Sequence, residues 1–386
     1  MTDHRSIKDW SRIYIMHKDR RVATIYQNGR CTIYFPSFMP YNLYLEKEDD
    51  LDTRLSNLSN FYYWCSGRLL TLDRKYAKEI MNSIGAMQAV TDKDRAMIAI
   101  SYHCLSLTDV FWVKMNREEL DFSQISLYRH SLSNAFADVS LRGISLTVQN
   151  AKLISDQDVA GDIGTQGVAP KAWIRREDGF YLFKDGDERD VKAELLASKI
   201  VDCFDVDHVF YSEDSFSGCE VSKCKIITSE EQSIVPFEYV TVYCENHDKD
   251  PLQFVLKHDS YRFYMMNIID YLIGNTDRHW GNWGFLVNNA NNKLVRLHPL
   301  MDYNKAFLAY DTTEGVKCLP RGDNYSQKQA ALEAVNKIGL NQIAEVNSEW
   351  FENDAECRMF FTRLFILKDA LGISHPTVDE VISSSR

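Results

Sequence analysis

The stretch Ser260–Ile273 most narrows what this chain can fold into, because nearly every position in it is apolar or aromatic. A helix that is apolar on all sides has to be enclosed by other elements. It stops at Gly274-Asn275, a pair suited to the left-handed residue that closes a helix. No apolar run reaches the roughly 18 residues a membrane span needs, so the sequence predicts a globular interior and no membrane partner. Composition agrees: 45% hydrophobic and 26% charged residues exclude wholesale disorder. At about 150 residues per domain, 386 residues suggest two to three domains.

Charge and cysteine usage exclude further classes. There are 44 Lys+Arg against 55 Asp+Glu, a net charge of -11 with no long basic run, so direct nucleic-acid binding is not expected. The 9 cysteines are scattered and form no CxxC pair, which suits reduced thiols in a cytoplasmic protein. Met1 to Arg5 is polar and runs into no apolar segment, unlike a secretory signal.

Along the chain, Arg12–His17, Val22–Tyr26 and Cys31–Phe35 read as strands, the last following the hairpin signal Asn28-Gly29. From Leu51 to Ser106 the spacing turns helical, with Thr91 placed to cap a helix through Tyr102. The aromatic group Phe61 to Trp64 reads as core rather than as a ligand platform. Arg129-His130-Ser131 is not taken as a catalytic Ser-His pair, since chain neighbours are seldom site neighbours. Asp156 to Pro170 is dense in Asp and Gly and reads as a loop. It leads into a hairpin, Lys171–Arg175 and Phe180–Lys184, and then a helix whose Ala193, Leu196, Ala197, Ile200 and Val201 share one face. Strands are expected near Val209–Tyr211 and Cys224–Ile227. Ile234–Val240 contains a proline and reads as a sheet end or a connector. Helices follow Tyr325.

The chemistry concentrates in Asn275 to Phe285. A short strand, Trp283–Val287, a turn, Asn288–Asn292, and a return strand, Leu294–His298, make a hairpin. Asn282 stands at its start and Asp302 just past its end, so the hairpin brings them together. Asp277 lies on the loop five residues before Asn282. Two carboxylates and an amide therefore converge in an oxygen-rich group suited to Mg²⁺. Phosphoryl transfer needs such a set: one Asp for the attacking hydroxyl, an Asn and a second Asp for metal. The step from Asp277 to Asn282 matches the Asp-to-Asn step of the protein-kinase catalytic loop. Upstream, Gly164 to Lys171, with Thr165 and Gly167, supplies a glycine-bearing loop. Lys184 ends the return strand, and Glu194 on the next helix is placed to pair with it.

Taken together, Asp277-Arg278-His279-Trp280-Gly281-Asn282 and Leu297-His298-Pro299-Leu300-Met301-Asp302 resemble the HipA-like kinase family. These are bacterial Ser/Thr kinases distantly related to the phosphoinositide kinases. The resemblance extends more weakly from Gly164 through Lys184 to Val240, and in outline to the initial β region. It implies that Asp277 is the catalytic aspartate, braced by His279, and that Asn282 and Asp302 hold Mg²⁺. Lys184, with Lys171 from the loop, would contact the ATP phosphates. Glu238 to Val240 would be a hinge whose backbone meets adenine. The family's autophosphorylated serine has no clear counterpart; Gly164 stands near its place and Thr165 is the nearest hydroxyl.

The expected architecture is α+β, a two-lobed protein-kinase-like (HipA-like) fold with an N-terminal β/helical extension. Its parts are residues 1–150, a β-sheet and helical subdomain; 151–244, an N-lobe with phosphate loop and hinge; and 245–386, a mostly helical C-lobe. The expected activity is ATP- and Mg²⁺-dependent transfer of the γ-phosphoryl group to Ser or Thr of a protein substrate. Some members of the family pair with a DNA-binding antitoxin, so an antitoxin-like regulator is a candidate partner. The alternatives are a lipid or small-molecule kinase on the same scaffold, which the acidic net charge disfavours, and a nucleotide-binding pseudokinase. Retention of Asp277, Asn282, Asp302 and Lys184 together argues against the last.

Overall fold

The computed structural model describes the chain except for residues 1–9, 85–90, 131–133, 145–155, 166, 309–311, 323 and 385–386. Ser131 therefore lies outside the described residues. The chain forms two compact units, one of residues 1–185, 225–235 and 287–294, the other of residues 186–224, 236–286 and 295–386.

The first unit is built on an antiparallel sheet ordered β3-β2-β1-β4, from β1 Arg12–His17, β2 Arg20–Tyr26, β3 Cys31–Ile33 and β4 Phe111–Met115. Alternation along a strand sends successive side chains to opposite faces. Ile13, Ile15, Ala23, Ile25 and Val113 pack into one core with Phe61, Trp64 and Ile100. Tyr14, Met16 and Trp112 enter another. The first core takes two helices, α1 Leu51–Ser66 and α3 Asp92–Ser101; α2, Ala77–Ser83, feeds the second. Asp50 caps α1 through the Thr53 N–H, and Thr91 and Asp94 form a reciprocal capping box on α3. Phe61 and Trp64 are buried, as their reading as core requires.

Short helices α4 Phe122–Ile125, α5 Asn134–Arg142 and α6 Asp156–Ile163 follow, then the hairpin of β5 Lys171–Arg176 and β6 Gly179–Lys184. Helix α6 corrects the expectation of a loop from residue 156. Val159, Ala160 and Ile163 make an apolar stripe that joins Leu69, Phe136 and Val139 in the second core. That shared core joins α6 to the N-terminal region.

The second unit holds α7 Glu188–Val201, the hairpin of β7 Tyr211–Phe216 and β8 Cys219–Lys225, then, after β9 Gln232–Pro236, α8 Phe237–Glu245 and α9 Pro251–Leu272. Strands β10 Gly284–Asn288 and β11 Lys293–Leu297 and helices α10 Gln327–Ile338, α11 Asp354–Ala370 and α12 Val378–Ser384 complete the chain. Asp259 breaks the regular backbone of α9, and its carboxylate accepts the Leu297 N–H at 3.0 Å. Beyond it, Phe263 to Ile273 is buried on all sides except at Tyr264, as the apolar run demands. Gly274 then turns left-handed at φ +61°, and a Cβ there would meet Met359 Sδ at 3.0 Å and an Arg363 nitrogen at 3.1 Å. No described helix is long and apolar enough to cross a membrane.

Candidate active site

The loop from Asn275 to Trp283 is closed mostly by its own residues and by the end of α9. Asn275 donates to Asp270 Oδ1 at 3.0 Å, and Asn275 Oδ1 accepts the Asp277 N–H at 3.2 Å. His279 donates its N–H to Asp277 O at 2.8 Å, and Asn282 Nδ2 donates to the same oxygen at 2.8 Å. The Asn282 side chain is thus oriented by its nitrogen, and its Oδ1 is the atom it could offer to a cation. His279 is exposed, and its Nδ1 accepts the Gly281 N–H at 3.0 Å. Its ring meets the loop through that contact, and its backbone through the bond to Asp277 O.

The stronger brace is Arg278, buried beneath the loop. It pairs with both oxygens of Asp270, at 2.9 and 3.0 Å, and donates to Asn282 O at 2.9 Å and Met301 O at 2.5 Å. One guanidinium therefore ties the backbone at Asn282 to the residue before Asp302. Arg278 stays charged because Asp270 outweighs the cost of its burial. Asp302 adopts φ +64° and donates its N–H to the Tyr211 hydroxyl at 3.1 Å. Burial pushes the Asp277 carboxyl up; His279, Arg278 and Lys305 pull it down, and Asp302 pushes it further up. Asp277 and Asp302 are close enough to feel each other. The donors are an amide oxygen and carboxylates, which suit a hard cation completed by water and phosphate oxygens. Among the described residues, no group of three or more His, Cys, Asp and Glu forms a metal cluster of its own.

Lys305 was not singled out by the sequence. Its Nζ pairs with Asp190 Oδ2 at 2.5 Å, and its carbonyl accepts the Thr276 N–H at 3.2 Å. Arg189 donates to Ala306 O at 2.6 Å. The first turn of α7 thereby holds the segment after Asp302. Glu194, further along α7, is buried and accepts from Ser222 Oγ at 2.5 Å. A signal for the Arg278 brace did exist: Asp270 is a carboxylate in an otherwise apolar run, and a buried charge demands a partner.

The expected connector is a helix from Phe237 onward. Glu238 and Val240 lie in α8, not in an open connector. Val240 is fully buried. The first-turn N–H groups of α8, which lack helical partners, go to the loop: Phe237 to Trp283 O at 2.8 Å and Glu238 to Trp280 O at 3.1 Å. The Glu238 N–H is thus committed to the loop that carries Asp277. Burial pushes the Glu238 carboxyl up, and His279 pulls it down.

In the first unit, Gly164 closes α6 and is buried against Leu105 O, 3.0 Å from where a Cβ would stand. Thr165 is buried too, and its hydroxyl donates to Gly161 O at 2.9 Å. Neither is presented as a phosphate loop residue. The half-exposed part begins at Gly167, φ +99°, whose Cβ position lies 2.5 Å from Lys171 Nζ. Lys171 and Lys184 are directly paired across β5 and β6, and both are buried. Arg142 forms an ion pair with Asp185. Burial raises the Asp185 carboxyl, and Arg142 and Lys75 oppose it.

Helices and antiparallel hairpins arranged in this order define an α+β, kinase-like fold. In structural comparison the chain is similar to HipA of Shewanella oneidensis MR-1, solved in a toxin–antitoxin complex with HipB and operator DNA, with a TM-score of 0.51 and 11% identity over 96% of this chain and 93% of that one. The fold is HipA-like. The Helicobacter pylori proinflammatory kinase CtkA aligns at a TM-score of 0.38 and 17% identity, over 56% of this chain and 94% of that one. No protein-family model and no curated protein matches the chain.

Proposed function

We propose that this protein is an ATP- and Mg²⁺-dependent kinase that phosphorylates Ser or Thr of a protein substrate. The observation that carries the reading is the Arg278 clamp, which fixes Asn282 and the residue before Asp302 around Asp277. Asp277 takes the proton of the incoming hydroxyl as its oxygen bonds the γ-phosphorus of ATP and ADP leaves. A carboxyl raised by burial is a better base than an ordinary aspartate. Asn282 Oδ1 and Asp302 would hold Mg²⁺, which would supply positive charge against the charge that develops on the transferred phosphoryl group. Lys171 and Lys184, side by side across one strand pair, concentrate positive charge for phosphates. A net charge of -11 favours a protein acceptor over an anionic membrane. HipA in the Shewanella complex is joined to HipB, and the shared fold supports an antitoxin-like partner here. The unpaired state of the 9 cysteines suits a cytoplasmic location.

Incubation with labelled ATP and Mg²⁺, read by intact mass and a lysate screen, tests this. Asp277→Asn is expected to lose transfer by about 10²–10⁴-fold while calorimetry still shows MgATP binding. Asp302→Asn is expected to lose Mg²⁺-dependent transfer, and Lys184→Ala to weaken ATP binding. Undiminished transfer in Asp277→Asn and Asp302→Asn would overturn the assignment.

A further inference from the structure

Tyr211 opens β7, is only 3% exposed and carries a polar group that the proposed reaction does not use. Its hydroxyl accepts the Asp302 N–H at 3.1 Å. The carbonyl in the same peptide plane, Met301 O, accepts from the Arg278 guanidinium at 2.5 Å. A peptide group is rigid and flat, so its C=O and N–H turn together. Both polar atoms of the Met301–Asp302 plane are thus tied to side chains, one from the loop that carries Asp277 and one from β7. Asp302 itself sits at φ +64°, a left-handed backbone that L residues adopt at a cost. Turning that plane to relieve the cost breaks both bonds at once.

Tyr211 is held in turn. Its N–H donates to Ser198 Oγ, buried in α7, at 3.0 Å. Its ring meets the buried Tyr303 edge-on, with centroids 6.0 Å apart. The backbone leading to it runs parallel to the backbone leading to Asp302. His208 bridges Leu300, Val209 N–H donates to Leu300 O at 2.7 Å, and Leu300 N–H donates to Asp207 O at 2.8 Å. Residues 207–211 therefore form a rail beside residues 300–302, and the Tyr211 phenol closes its end.

We propose that Tyr211 is a positioning residue for Asp302. Its hydroxyl, with the Arg278 guanidinium, fixes the peptide plane from which the Asp302 side chain leaves, and so fixes where that carboxylate stands for a divalent cation. The inference rests on the kinase reading for the cation, while the hold on the backbone stands on the two hydrogen bonds. Asp302 is the residue that would touch the metal, and Tyr211 acts through it.

Tyr211→Phe keeps the ring and removes only the oxygen. Two measurements on the full-length protein read the consequence. Hydrogen exchange followed by NMR reports on the Asp302 amide. The variant is expected to exchange it about tenfold faster, the size of one hydrogen bond, with the amides of α9 and α11 unchanged. General loosening would quicken all of them. Electron paramagnetic resonance then measures Mn²⁺ taken up by the protein with a non-hydrolysable ATP analogue, beyond what the analogue alone takes up, so affinity is read without transfer. Mn²⁺ is expected to bind the variant about tenfold more weakly. An Asp302 amide that exchanges at the open-chain rate in the wild type overturns the proposal, whether or not the variant folds. So does a folded Tyr211→Phe with wild-type exchange at Asp302, or with a measurable Mn²⁺ affinity equal to that of wild type. Faster exchange confined to Asp302, with no Mn²⁺ bound by either protein, supports the positioning and counts instead against the metal assignment.

Discussion

The loop around Asp277 and the loop around Gly167 both carry residues that we propose for nucleotide chemistry, yet they are held in opposite ways. In the first, most bonds join residues within eight positions: Asn275 and Arg278 to Asp270, Asn282 to Asp277. In the second, the fixing contacts come from far along the chain. Arg74 donates to the carbonyls of Thr165 and Lys171, Leu70 N–H to Ile163 O, and Lys75 N–H to Val168 O. A locally closed loop keeps its shape largely whatever surrounds it. A loop fixed from afar takes the shape its surroundings impose.

The largest effect that could sharpen this contrast is at Arg278. Arg278→Met strands the Asp270 carboxylate in the interior, and removing one partner of a buried pair costs about 3–5 kcal/mol. Chemical denaturation should show that loss, and transfer should fall with it because Asn282 and Met301 lose their common tether. Replacing both residues, Asp270→Leu with Arg278→Met, should recover much of the stability and none of the transfer. Recovery of transfer as well would break the claim that the guanidinium sets the site.

Next in size is an acid dependence that both regions should share. His17 in the first unit and His298 in the second are buried, and burial lowers each to about 4 from an ordinary 6.5. Between those values the unfolded chain binds more protons than the folded one, so stability is full above pH 6.5 and falls as pH drops towards 4. From pH 7.5 to 5 each histidine should remove about 2 kcal/mol. His17→Gln and His298→Gln should each cancel that much of the acid slope in denaturant melts. A slope cancelled by only one of them would show that the two interiors differ in dryness.

The smallest effect concerns the distant-held loop. Gly167→Ala puts a side chain at φ +99° and a Cβ 2.5 Å from Lys171 Nζ. The backbone cost is about 1–2 kcal/mol, and the lysine tip, being flexible, moves aside. ATP affinity measured by calorimetry should fall several-fold while Mg²⁺ dependence stays unchanged. An affinity equal to wild type would detach Lys171 from the phosphates.

By itself the sequence determined the elements whose signals are local. The apolar run to Ile273 and its glycine stop, the Thr91 cap, the β5–β6 hairpin and the Asp277–Asn282 spacing all stand in the structure where they were read. Each depends on contacts within a few residues, so their pattern is written in consecutive letters. Tertiary structure decided the rest. Helix α6 exists because Val159, Ala160 and Ile163 find a core supplied by Leu69 and Phe136, and without that core an Asp- and Gly-rich stretch reads as a loop. The helix from Phe237 is capped by the loop before β10, which accepts its first N–H groups. Gly164 and Thr165 turned inward because Leu105 backs the one and the end of α6 takes the hydroxyl of the other. The partners in the first two cases, and Leu105 in the third, lie tens of residues away, and periodicity along a chain carries no record of such distant contacts.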